Sequence, residues 1–240
     1  MNRFGYRKLR DSVEILVLCA GCWGWLSVNA DDSGSHRQPD NVLAQVAQLS
    51  ESARKASELR EYAEAQADLQ QASALLAQPH SAGWRRLHAT VYCQLGVIAI
   101  EQGDWGEGEK TLVECLQQAR SLGEQQLVGE ALVRLGQNDF KRGQLKAANT
   151  HLREAITVTT AIQDQANLAS AHLWLGAIGA LQGNSAQAES ELLEAVTIAG
   201  AAGNRSIEAR ARNILGENAR LHGQSDVARA HYQEALALYQ

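Results

Sequence analysis

Hydrophobic residues recur three and four apart along most of this 240-residue chain, with polar residues between them. That spacing draws one apolar stripe down a helix and leaves its other side in water. Stretches of this kind run over 87–101, 105–120, 127–141, 145–161, 167–181, 185–200, 207–221 and 225–240. The breaks between them are short, which makes successive helices antiparallel neighbours. Aromatic and β-branched runs of the kind a sheet needs are scarce. The fold class expected is all-α, built from helix pairs.

The stripes repeat with a period of forty residues. The dipeptide Leu-Gly recurs at Leu95-Gly96, Leu135-Gly136, Leu175-Gly176 and Leu215-Gly216. A second glycine follows at Gly103, Gly143, Gly183 and Gly223, then a small residue at Gly108, Ala148, Ala188 and Ala228. Leu112, Leu152, Leu192 and Tyr232 come next, followed by Cys115, Ala155, Ala195 and Ala235. Glycine inside a helix costs about 1 kcal/mol against alanine, so the first of these glycines implies a helix crossing close by. The second fits a helix end that needs a left-handed backbone angle. The leucines fill the space between paired helices. Residues 42–78 read as an earlier, degenerate pair, with Tyr62, Ala65, Leu69 and Ala72 in the places of Trp105, Gly108, Leu112 and Cys115. End units of a stack are often atypical because they cap it.

Ahead of the repeats the pattern changes. Arg3, Arg7, Lys8 and Arg10 form a basic head, and an apolar run from Val13 to Val28 follows it. Val28-Asn29-Ala30 before Asp31-Asp32 has the small or apolar residues, at minus three and minus one, of a signal-peptidase site. The same segment also reads as a retained membrane anchor, although Glu14 and its short apolar core weigh against a span of ~20 residues. A third reading is lipidation at Cys22, within Cys19-Ala20-Gly21-Cys22. The tract Asp31–Asp40 is polar and reads as a flexible linker. The expected organisation is therefore a signal peptide or anchor over 1–30, a linker over 31–41 and a helical repeat domain over 42–240. It places the repeats outside the cytosol, exported or held on a membrane by the N-terminal segment.

Charge and chemistry narrow the function classes. The formal net charge is −5, which gives no support to a nucleic-acid surface. Seven histidines are scattered without metal-ligand spacing, so no metal and no cofactor is expected. Two of the four cysteines fall in the N-terminal run; Cys93 and Cys115 alone are too few for a disulfide framework, and Cys115 reads as a small buried hydrophobe. No nucleophile stands in a motif with a base and an orienting group, so no catalytic residue is assigned and the chain is not expected to be an enzyme. Trp105 reads as a packing residue, and Trp84 as a partly exposed one with a possible contact role.

These repeats resemble the tetratricopeptide repeat family, in a forty-residue form. Leu135-Gly136, Gly143, Ala148 and Ala155 stand at the family's marks, as do their counterparts one and two periods later. The family's large first residue is kept at Tyr92 but becomes Leu132, His172 and Arg212. Its mid-helix tyrosine is replaced by Ala99, Asp139, Gly179 and Ala219, and Asp139 would be costly if buried without partners.

The resemblance implies an α-solenoid whose antiparallel pairs wind into a right-handed superhelix, with the first helix of each pair on the inner face. Carried onto this sequence, the inward positions include Cys93, Val97, Ile100, Val133, Gln137, Phe140 and Leu173, followed by Arg210, Asn213, Glu217 and Arg220. The apolar ones suit a hydrophobic partner segment or else pack against neighbouring helices. Arg210, Arg212 and Arg220 suit a carboxylate or else form a solvated face with Glu208 and Glu217. The function expected is an exported adaptor that binds a protein or peptide. A regulatory module acting with a separate effector and a structural role in envelope assembly are the alternatives. The last helix pair leaves an apolar face open to self-association.

Overall fold

The computed structural model describes residues 13–19, 22–28, 38–77 and 82–240, and within these it contains ten helices and one small sheet. The helices are α1 (Gln38–Glu58), α2 (Tyr62–Leu75), α3 (Ala82–Gln102), α4 (Trp105–Leu122), α5 (Gln125–Lys141), α6 (Leu145–Ala161), α7 (Gln165–Leu181), α8 (Ser185–Ala201), α9 (Arg205–Leu221) and α10 (Ser225–Tyr239). They form five antiparallel pairs stacked as a solenoid that winds into a right-handed superhelix. From α3 onward each first helix also touches the first helix of the next pair, α3 on α5, α5 on α7 and α7 on α9.

The period-forty marks have a common structural cause. A Cβ placed on Gly96 would lie 2.6 Å from Leu112 Cγ, and on Gly136 only 2.5 Å from Leu152 Cγ. Gly176 stands in the same way against Leu192, and Gly216 against the ring of Tyr232. The two helices of each pair therefore cross where only a hydrogen fits, and the large residue opposite fills the gap. At the turn between the paired helices, Gly103, Gly143, Gly183 and Gly223 all have φ between 70° and 85° (83°, 74°, 73° and 75°), the left-handed geometry that closes a helix. Asp104, Asp164, Asn184 and Asn204 then start helices by accepting the backbone N–H three residues on.

Polar departures from the repeat are compensated by partners. Asp139 is 2% exposed, and the Nδ1 of His151 on α6 lies 2.8 Å from its Oδ2. His172 meets Glu191 on α8 at 2.7 Å, and Arg212 holds Glu208 at 2.9 Å and also Glu234 on α10. Between pairs, Arg86 meets Glu124, Lys141 meets Glu101, and Arg142 meets Glu109.

Several sequence expectations change. Cys93 and Cys115 are not isolated small hydrophobes: they form a disulfide between α3 and α4, with Cα atoms 5.3 Å apart. Cys93 thus faces its own partner helix and not the inner groove. Trp84 is buried in the N-terminal cluster with Leu43, Val46 and Leu87, so it is not an exposed contact. Trp105 is 41% exposed, and its carbonyl accepts a hydrogen bond from Asn138 Nδ2 at 3.1 Å. α3 starts at Ala82, ahead of the expected 87, because Trp84 and Leu87 extend its buried stripe.

The N-terminal apolar run forms an antiparallel pair, β1 (Val13–Cys19) with β2 (Cys22–Val28), in which Val13 pairs with Val28 and Cys19 with Cys22. Its valines, isoleucine and tryptophans suit extended backbone. The basic head and the expected cleavage site after Ala30 lie outside the described residues, as does most of the linker. Among the described residues no helix is long and apolar enough to cross a membrane.

Candidate partner-binding face

The inner face is built by α3, α5, α7 and α9. Their own packing requirements decide which of the predicted residues reach it. Ile100, Val133 and Leu173 do not: each is 2% exposed or less and lies in the core. Ile100 packs on Gly108 of α4, where an added Cβ would come within 2.7 Å of its Cγ1. Gln137 is also buried, with its Oε1 accepting from Arg134 Nη1 at 3.3 Å. Stacking each first helix on the next covers these positions, so they hold the solenoid together and offer nothing to a partner. Val97 and Phe140 are half-buried, and Arg210, Asn213, Glu217 and Arg220 are exposed.

The exposed charged residues differ in what they already hold. Arg220 donates twice to Glu217, and the Tyr232 hydroxyl donates to Glu217 Oε2 at 2.8 Å. The Arg220 hydrogen bonds, with that of Tyr232 second, hold the Glu217 carboxyl down at about 2. Burial is the first cause that pushes the Tyr232 phenol up, and Glu217 adds to it. Arg212 is tied to Glu208 and Glu234. Arg210 has no carboxylate within ion-pair distance among the described residues.

Arg210 lies instead over an indole. Its guanidinium carbon is 5.1 Å from the ring centroid of Trp174. On the other side Phe140 meets Trp174 with centroids 5.3 Å apart and planes tilted by 51°. Phe140 comes from α5, Trp174 from α7 and Arg210 from α9, so the three form a ladder across successive inner helices. Sequence reasoning missed Trp174. Its repeat equivalents are Gln94, Arg134 and Ile214, so no periodic signal marks the position. A signal did exist in the residue type, the one tryptophan of α7. Arg134, the equivalent residue on α5, has a buried Nε without a hydrogen-bond partner among the described residues.

A second exposed feature lies on α10. Arg220, Ser225, Ala228, Arg229, Tyr232 and Leu236 line a shallow groove along its outer side. Leu236 and Tyr239, 59% and 61% exposed, stand where Leu116 and Ala119 of α4 are buried. Among the described residues no three His, Cys, Asp or Glu side chains gather as a metal site would require.

The family model described as tetratricopeptide repeat matches residues 87–161 and 167–240. No curated protein matches the chain in sequence. Among solved structures, it is similar to BtubC from P. vanneervenii, with 16% identity, a TM-score of 0.69, and coverage of 84% of this chain and 82% of that one. It is similar to the Rap conjugation gene regulator of plasmid pLS20, a structure in complex with the Phr* peptide (14% identity, TM-score 0.71). That match covers 87% of this chain and 59% of the regulator. A putative kinesin light chain with nearly identical repeats, from Podosopora anserina, gives 15% identity and a TM-score of 0.61, covering 85% of this chain and 97% of the other. At these identities the likeness is one of fold.

Proposed function

Since this chain belongs to the tetratricopeptide repeat family, we propose that it is a non-enzymatic adaptor that holds a peptide or protein segment along the inner face of α3, α5, α7 and α9. The observation that carries this reading is the Phe140–Trp174–Arg210 ladder. It presents an aromatic surface and an unpaired cation side by side on three different helices. Aromatic and arginine side chains are the residue types that dominate binding surfaces. A peptide lying across the helices meets all three residues. The pLS20 regulator, solved with a peptide, has the same fold, which is in keeping with such a use.

The adaptor works outside the cytosol. Two independent features favour this: the Cys93–Cys115 disulfide, of a kind that persists in oxidising compartments, and the basic head with the apolar run that precede the repeats. Fractionation of cells making the full chain, with the intact mass of the recovered protein, tests the export. Recovery of an uncleaved, unlipidated chain from the cytosol overturns it. The adaptor reading is tested by crosslinking the wild-type chain and its Trp174→Ala variant in an envelope extract. A partner captured by the wild type and lost from the variant is expected; identical captures overturn the reading.

Self-association through α10 is a second contact, favoured by the exposure of Leu236 and Tyr239. Sedimentation should show a dimer that Leu236→Asp dissociates. A monomer at every concentration rejects it.

A further inference from the structure

We propose that the inner face selects an acidic segment: Arg210 takes a carboxylate of the bound peptide, and an apolar side chain two residues from that acid lies on Trp174 and Phe140. This rests on the adaptor reading and adds the chemistry of what is held.

The argument starts from which cations are already engaged. Lys141, Arg212 and Arg220 each sit within ion-pair distance of a glutamate of this chain. Arg210 does not, although the chain as a whole carries a net charge of −5 and glutamates are plentiful on its helices. Its guanidinium carbon lies over the Trp174 ring, 5.1 Å from the centroid. A guanidinium held over an aromatic ring keeps N–H donors to spare, and these form the fork that matches a carboxylate in two parallel hydrogen bonds. The ring contact also fixes the group in place, so less side-chain freedom is lost when a ligand arrives. Phe140 packs against Trp174 from α5 and so holds the indole against rotation. The apolar part of the site and its cation are therefore set at a fixed separation. An extended peptide brings side chains two residues apart onto one face, roughly 7 Å from each other.

A single guanidinium beside the Trp174 ring, on a chain of net charge −5, favours a peptide carboxylate over a nucleic-acid backbone. A backbone would need several cations to neutralise its phosphates.

The test uses the full chain and a phage-displayed library of random dodecapeptides. Peptides selected on the wild type are counter-screened on Trp174→Ala. The leading sequence is then synthesised with its Asp or Glu intact and with Asn or Gln in its place, and both are measured by fluorescence anisotropy. Trp174-dependent peptides are expected to carry an acid two residues from an apolar residue, and the amide version to bind at least about tenfold more weakly. Arg210→Glu should remove the preference for the acid, and Arg210→Lys should weaken it. Arg210 is exposed, so both variants should keep the wild-type helical circular dichroism. Trp174-dependent peptides with no acid, or equal affinity for acid and amide, overturn the acid selection and leave the adaptor reading standing. Peptides that bind equally to Trp174→Ala overturn both.

Discussion

Cys93 on α3 and Cys115 on α4 are joined as a disulfide across the first regular helix pair, in positions where the next two pairs place Val133 with Ala155 and Leu173 with Ala195. α4 is also the helix that carries Gly106 and Gly108, residues that weaken a helix by up to about 1 kcal/mol each. The covalent link offsets that weakness. Replacing both cysteines by alanine should leave the fold intact and lower its stability by about 3 kcal/mol, the value for closing a loop of this length. Thermal unfolding of the variant, and of the wild type with and without reductant, checks this. Equal midpoints would count against it.

Two glycine-to-alanine changes should act in opposite directions. Gly136→Ala drives a methyl group into Leu152, whose Cγ lies 2.5 Å from where the new Cβ would be. Leu152 is fully buried, so the pair must shift, at a cost of about 1–3 kcal/mol. Gly106 is exposed, and its nearest neighbour to an added Cβ is Asp104 Oδ1 at 3.9 Å. Gly106→Ala should therefore stabilise by about 0.5 kcal/mol through the unfolded state and helix propensity. Urea denaturation of both variants measures the two signs.

Asp139 and His151 should behave as a coupled pair. Removing His151 leaves a buried carboxylate without its ring partner, and His151→Ala is expected to cost about 1–3 kcal/mol. Asp139→Ala with His151→Ala restores a residue type found at the equivalent positions Ala99 and Ala219, so the double change should cost less than the two single ones added. A double-mutant cycle in denaturant decides the point.

Acid should act on the α9–α10 joint. The folded value of Glu217, about 2, lies below its ordinary 4.5. Its contribution is therefore complete above the ordinary value and lost as the pH falls from there through about 2. Carbon-detected NMR of the side chain should place its titration near 2 in the wild type. Arg220→Ala should raise it the most and Tyr232→Phe by less.

The helix pairs were legible in the sequence because the crossing glycine, the turn glycine and the large opposing residue, a leucine three times and Tyr232 once, recur in register four times. Asp139 stood out as a misfit, and its remedy did not, because His151 approaches it only when α6 folds back on α5. The disulfide was hidden for the same reason: two positions on facing helices carry no common spacing signal. The inner face was the least legible part. Family positions selected Ile100, Val133 and Leu173, which the stacking of first helices covers, and Phe140 and Arg210, which it does not. Trp174 fell between periodic marks, and only the three-dimensional neighbourhood of α5, α7 and α9 reveals what it joins.

The bridge between α3 and α4 has a bearing on proteolysis. The exposed turn at Gly103-Asp104 is the connection between those helices, and a protease that cuts there severs the backbone without separating the pieces. The piece holding α1, α2 and α3 and the helices bearing Trp174 and Arg210 would travel on as one covalently tethered particle until a reductant reached it.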